Sequence, residues 1–299
     1  MTSLSAKIVN IILRLRGIKK IFESEQGALK GVAENRKNGP AKPHSALHSL
    51  CDISEEKVDG HLVYHLTPKS GGSDHHVLYF HGGGYAIDIV PEHWKYIAKL
   101  IKQTGASVTV PIYPLAPEHD WKPAYAMAAK IYAGLVTETE AKHICFMGDS
   151  AGGGFSLALA QMLRDEGQPL PGRIVLLSPW LNGLGDDPEQ LEIDRRDHII
   201  GIGGIKAMGR WWAGEGGDPA AFPISPINHD ITGLPPMAMW SGTNDILYVD
   251  AKQLDAKAKA DGASLETHIW PDMQHVWMIL PMKEADQAVA EIAAFMAKA

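Results

Sequence analysis

The chain has 299 residues, 45% of them hydrophobic and 21% charged, with a formal net charge of −7. That length suits one large α/β domain or two ordinary ones. No run approaches the roughly 18 to 20 apolar residues of a membrane-spanning helix, which excludes stable membrane insertion, and a mild acidic excess gives no basic face for phosphate backbones, which excludes nucleic acid as a partner.

At the N-terminus, Ile8, Val9, Ile11, Ile12 and Leu15 stand among Lys7, Arg14, Arg16, Lys19 and Lys20, the pattern of a basic amphipathic helix over Ser5 to Phe22. Arg14 interrupts its apolar part too early for a signal peptide, and no small-residue cleavage site follows. The helix is expected to dock its apolar face on the protein rather than on a membrane. Cys51 and Cys145 are far apart and lack CxxC spacing, which fits neither a disulfide framework nor a thiolate metal site and suits a reducing cytoplasm.

Short apolar runs at His61 to Leu66, Val77 to Phe80, Ser107 to Ile112, His143 to Met147, Ile174 to Ser178, Met237 to Trp240 and Glu266 to Trp270 are predicted strands. Helix-length segments separate most of them, as a parallel sheet with helical crossovers requires. Two stretches stand outside this alternation and read as additions to the core: roughly the first 45 residues, and Asn182 to Phe222. The second holds many glycines around Trp211 and Trp212, suited equally to a partly mobile cover and to a helical insertion that only packs.

Gly148-Asp149-Ser150-Ala151-Gly152 lies between a predicted strand and the helical run Phe155 to Leu163. This is the strand–turn–helix setting of a G-x-S-x-G nucleophile turn, which exposes the serine hydroxyl at the N-terminus of a helix. Larger residues at Gly148 or Gly152 would collide with the adjoining strand and helix. His81-Gly82-Gly83-Gly84 follows the strand Val77 to Phe80; composition alone predicts roughly 0.01 such tetrads in the chain. Its glycines free backbone N–H groups to face an oxyanion together with the N–H of Ala151. A dinucleotide fingerprint starting at Gly82 needs a glycine where Ile87 stands.

A serine nucleophile needs a base, and after Ser150 the chain offers His198, His229, His268 and His275. His275 is the best placed, in a turn-like segment after the last predicted strand and before a helix over Lys283 to Lys298; His268 lies inside that strand. For the orienting acid, Asp245 follows the strand Met237 to Trp240, with Asp250 and then Asp272 as rivals. The adjacent His75 and His76, in a polar loop, lack the spacing of metal ligands and are expected to be solvated. No metal site is expected.

Taken in order, His81 to Gly84, Tyr113-Pro114-Leu115-Ala116-Pro117-Glu118-His119, Gly148 to Gly153, Ser178-Pro179-Trp180, Leu234-Pro235-Pro236 and Gly242 to Asp245 resemble the successive motifs of the hormone-sensitive-lipase-like carboxylesterases and lipases, from about residue 60 to the end. The resemblance implies an α/β-hydrolase fold with a mostly parallel eight-stranded sheet. It implies a core of residues 46–181 and 223–299, and a cap built from N-terminal helices (1–45) and an insertion (182–222). It assigns a triad of Ser150, Asp245 and His275, oxyanion donors Gly82, Gly83 and Ala151, and hydrolysis of short- to medium-chain esters without a cofactor. Pro114 stands where the family usually has Arg, and Val276 follows the histidine in place of Gly, Phe or Tyr.

Tyr85, Trp180, Trp211, Trp212 and Trp277 are candidates for the pocket wall, each equally suited to the core. The same triad would serve a lactonase or amidase, and a non-catalytic receptor on this fold is the alternative of another class. The partner is a small-molecule ester; a homodimer is compatible with the sequence.

Overall fold

A computed structural model describes residues 2–298. Eight strands form one sheet: β1 (Cys51–Val58), β2 (His61–Pro68), β3 (His76–Phe80), β4 (Ser107–Pro111), β5 (Ile144–Asp149), β6 (Arg173–Leu177), β7 (Met237–Gly242) and β8 (Leu265–Trp270). Their spatial order is β1-β2-β4-β3-β5-β6-β7-β8, parallel from β4 to β8, with β1 and β2 antiparallel at one edge. The chain runs outward from β3 to β4 on one side, then crosses to β5 and beyond on the other. The crevice at the carboxyl ends of β3 and β5 is therefore the topological switch point, where α/β sheets bind ligands. Both glycine-rich motifs open there, because Phe80 at the end of β3 pairs with Gly148 near the end of β5.

The central strands are buried on both faces, Val77 to Phe80 and Ile144 to Asp149 without exception. They read as continuous apolar runs, as strands under helices on both sides must. One core layer gathers Phe80, Phe146, Phe155 and Leu176; the other gathers Tyr79, Met147, Trp240 and Ile292. The predicted strands recur within a few residues of their ends, and β1 is the exception. It is a polar edge strand with only Cys51 buried, so it carries no apolar run to read. It folds on β2 through Asp59-Gly60, both at positive φ (50° and 85°), which matches the twist of a two-residue hairpin. His76 also departs from expectation. It belongs to β3, where its Nε2 meets Thr109 Oγ1 at 2.8 Å, and burial pushes its pKa down to about 4.

The helices are α1 (Leu4–Arg16), α2 (Lys19–Phe22), α3 (Glu25–Asn38), α4 (Ser45–Leu50), α5 (Pro91–Thr104), α6 (Trp121–Glu138), α7 (Ala151–Asp165), α8 (Pro188–Asp194), α9 (Ile202–Ala213), α10 (Tyr248–Asp261) and α11 (Lys283–Met296). α1 docks differently from expectation: its buried stripe is Ala6, Val9 and Leu13, whereas Ile8, Ile11, Ile12 and Leu15 are exposed. The helix has two apolar stripes, and only the narrower one meets the protein. Ser3 caps it, and Glu284 on α11 accepts from the Ser3 N–H and hydroxyl at 2.7 and 2.8 Å.

α2 and α3 pack on α9 of the insertion after β6. The glycines of α9 explain that contact: a Cβ at Gly203 would stand 2.3 Å from the Glu23 carbonyl oxygen, and one at Gly204 2.2 Å from that of Phe22. They permit close approach of backbones.

Candidate active site

Ser150 sits between β5 and α7 at φ 54° and ψ −120°, a conformation non-glycine residues rarely adopt. The surroundings over-determine it: its N–H donates to Leu177 O at 2.8 Å, and its carbonyl accepts from Gly153 and Trp180 at 3.0 and 2.9 Å. A Cβ at Gly152 would lie 1.9 Å from Phe80 O and one at Gly148 2.2 Å from Gly152 O, so the turn closes only with glycine at both places.

Three side chains from three loops meet here. Asp245, after β7, is fully buried and lies 2.9 Å from His275 Nδ1, and His275 Nε2 lies 2.9 Å from Ser150 Oγ. A carboxylate only accepts, so Nδ1 carries the proton and Nε2 presents its lone pair to the serine hydroxyl. Leu247 N–H donates to the other Asp245 oxygen at 2.8 Å, fixing the carboxylate. Burial lowers the His275 pKa, but Asp245 by charge and hydrogen bond, and then Asp197 and Asp149, reverse this and hold it above the usual value. The next residue, Val276, is β-branched at φ 49°, and its N–H is held by Ser178 Oγ at 3.1 Å. Strain on both sides of the hydrogen bond marks a preorganised site.

The rivals lie elsewhere. Asp250 accepts from Leu181 and Asn182 N–H at 2.7 and 2.9 Å, and Asp272 accepts from Thr2 Oγ1 on the surface at 3.3 Å. His229 pairs with Asp165, and the His268 ring stacks on Trp240.

The glycine loop corrects one expected donor. Gly82 N–H is already committed to Asp149 Oδ1 at 3.0 Å, and a Cβ there would press on the same carboxylate. Gly83 and Gly84 line the cavity beside Ser150 instead, and their N–H groups, like that of Ala151, find no protein acceptor among the described residues. His81 anchors the loop from below. Its Nδ1–H donates to Gly82 O at 2.7 Å, its ring stacks on Tyr113 at 4.5 Å, and burial pushes its pKa down to about 4, so it stays neutral.

A family profile described as an alpha/beta hydrolase fold matches residues 77–279. An acetyl-hydrolase of Streptomyces hygroscopicus is 31% identical over 93% of this chain and 94% of its own length. An esterase of Acinetobacter venetianus is 29% identical over 73% of each. The crystal structure of an esterase from the bacterial hormone-sensitive lipase family superposes with a TM-score of 0.83 at 27% identity, covering 99% of this chain and 98% of that one. This chain belongs to the α/β-hydrolase family, in its hormone-sensitive-lipase-like branch.

In this hydrolase a cavity of about 490 Å³ opens onto Ser150 and His275. Its wall is apolar: Leu13, Ile18, Ile21 and Phe22 come from the N-terminal helices, Ile199, Ile200, Ile205 and Met208 from the insertion, and Val276, Ile279 and Leu280 from the histidine loop. Of the expected aromatics, Trp180 lines it. Tyr85 is instead fully buried and stacks on Trp212 at 4.3 Å, Trp277 is fully buried beside Trp270, and Trp211 lines a separate shallow depression with Arg210. The stacked rings of Tyr85 and Trp212 fill a seam between core and insertion.

Two groups of residues escape sequence reading. Asp149 is buried and takes Tyr79 OH at 2.6 Å, Gly82 N–H, and His93 Nε2 at 3.2 Å. Since His93 Nδ1 accepts from Val90 N–H at 3.0 Å, Nε2 carries the proton and donates. Burial opposes ionisation of Asp149, yet His93, Tyr79 and Gly82 outweigh it and hold the pKa below the usual carboxylate range. The second group stitches the insertion to the loops that carry Asp245 and His275. Asp197 accepts from Ile199, Ile200 and Ile246 N–H at 2.8, 3.0 and 3.0 Å, while Gln274 accepts from His198 N–H and donates to Arg196 O. Ile246 follows Asp245 and Gln274 precedes His275, so residues 196–200 grip both loops. The departure at Pro114 has a counterpart as well: Arg36 of α3 forks onto Glu118 at 3.1 and 3.0 Å and reaches Ala116 O.

Proposed function

We propose that the chain is a serine carboxylesterase for short- to medium-chain esters, with Ser150 as nucleophile, His275 as general base and Asp245 as its orienting acid. The observation that carries this reading is the continuous hydrogen-bonded line Asp245–His275–Ser150 at the floor of an apolar cavity. Ser150 Oγ bonds to the ester carbonyl carbon as its proton passes to His275 Nε2. The carbonyl oxygen becomes an oxyanion, held by the N–H groups of Gly83, Gly84 and Ala151 and favoured by the N-terminus of α7. Asp245 stabilises the imidazolium without taking its proton. Collapse breaks the bond to the alkoxy oxygen, which leaves with the proton from His275. Water then attacks the acyl-Ser150 ester by the same route and releases the acid.

The volume and apolar wall support an acyl group of modest length. The reading gives residues 1–45 and 182–222 the role of a cap, since both supply cavity wall to a core that supplies the chemistry. Cys51 and Cys145, buried and unpaired, suit the cytoplasm. No helix among the described residues is long and apolar enough to cross a membrane.

Turnover of p-nitrophenyl acetate and butyrate by the protein and by Ser150→Ala tests the reading. Hydrolysis is expected from the parent chain, with a loss of roughly 10⁶ in kcat on substitution. Equal turnover by both proteins would assign the nucleophile elsewhere.

A further inference from the structure

α1 shows solvent a row that the fold does not use. Leu4, Ile8, Ile11 and Leu15 recur at i, i+4, i+7 and i+11, one line along a helix, and are 75%, 48%, 59% and 80% exposed, with Ile12 beside them at 42%. Among the described residues, only Leu29 and Leu191 are further large hydrophobics classed as exposed, and both lie outside this helix. At about 100° per residue, Lys7 and Arg14 fall on one flank of the row and Arg16 on the other. All three are exposed and form no ion pair with the described residues. Residues 2–22 contain no Asp or Glu, in a chain whose net charge is −7.

We propose that this face of α1 docks the protein on an anionic lipid surface, with the apolar row in the boundary between headgroups and acyl chains and the basic flanks on lipid phosphates. Charge decides the occupant. In a symmetric pair, the same patch faces itself, so a second copy would set Lys7, Arg14 and Arg16 of both chains around one seam. An anionic surface neutralises them instead. The helix is presented preformed, since Ala6, Val9 and Leu13 pack on the core and Glu284 holds Ser3, so little ordering cost falls on docking. The buried side of the same helix supplies Leu13 to the cavity wall. Docking would therefore bring the cavity to esters dissolved in the lipid.

The test is flotation of the full chain with phosphatidylcholine vesicles, with and without phosphatidylglycerol. Two variants accompany it, Ile11→Ser/Leu15→Ser and Lys7→Gln/Arg14→Gln/Arg16→Gln. None of these residues lines the cavity, so hydrolysis of p-nitrophenyl acetate in solution should stay unchanged and reports that each variant is folded. Binding to the phosphatidylglycerol vesicles is expected, weakening with salt. The charge variant should lose on the order of 100-fold in affinity, and the apolar variant roughly tenfold or more. Failure of the parent chain to float, or flotation of both variants equal to that of the parent, would overturn the proposal. So would a parent dimer in sedimentation velocity that Ile11→Ser/Leu15→Ser converts to monomer, which would give the face to a second copy.

Discussion

Asp197 is a buried carboxylate held by three backbone N–H groups. Burial first and the Asp245 carboxylate second push its pKa up to about 7, while His275 and the N–H groups of Ile199 and Ile200 pull the other way. Its ionised form helps to hold the His275 pKa up. The base must be neutral to take the Ser150 proton, so Asp197→Asn, by removing that charge, should move the acid limb of the kcat/KM profile to lower pH. A limb that does not move would confine Asp197 to a structural part. Asp149→Asn tests the neighbouring network. An amide must point an NH2 group at a donor, either Gly82 N–H and Tyr79 OH or His93 Nε2–H, and the glycine loop loses its anchor. A fall in kcat of about tenfold or more, with KM little changed, is expected from steady-state kinetics. Neither role was legible in the sequence, because each rests on contacts between distant segments. The misassigned Gly82 has the same origin: which of three adjacent glycines keeps a free N–H depends on Asp149, 67 positions away. Ser150 was legible because its turn requires neighbours fixed by local geometry.

Among the elements, the buried strands β3 to β7 were readable as apolar runs, and β1 was hidden by its exposed, polar character. The Asp59-Gly60 turn was the one local signal of it. In the insertion, the glycines fitted both a mobile cover and a packed one, because the close approach of the Phe22 and Glu23 backbone to α9 is a contact with a distant segment. Gly204→Ala measures that contact. Helix propensity alone would favour alanine by about 1 kcal/mol. The new Cβ, however, meets the Phe22 carbonyl oxygen at 2.2 Å, a rigid backbone neighbour. Overpacking should win by roughly 1 to 3 kcal/mol net, seen as a lower Tm. A Tm that rises would show that α9 and α2 part readily enough to admit the methyl group. Glu284→Ala should loosen α1 at its other anchor, costing about 1 to 3 kcal/mol through the orphaned Ser3 N–H and hydroxyl, measurable by denaturant unfolding.

For the whole molecule, the order of the strands explains why residues spread over 195 positions, from His81 to His275, converge. β3 and β5 adjoin at the switch point and deliver the glycine loop and Ser150; β7 and β8 follow on the same side and deliver Asp245 and His275 to the same rim. The N-terminal helices and the insertion then close the cavity over that rim. Labelling with a fluorophosphonate and mapping the modified peptide tests the account most directly, because only a serine activated within a triad reacts at a useful rate. One equivalent of label is expected, carried by the peptide that contains Ser150 and lost in His275→Ala. Label on another residue, or none on a folded protein, would contradict it.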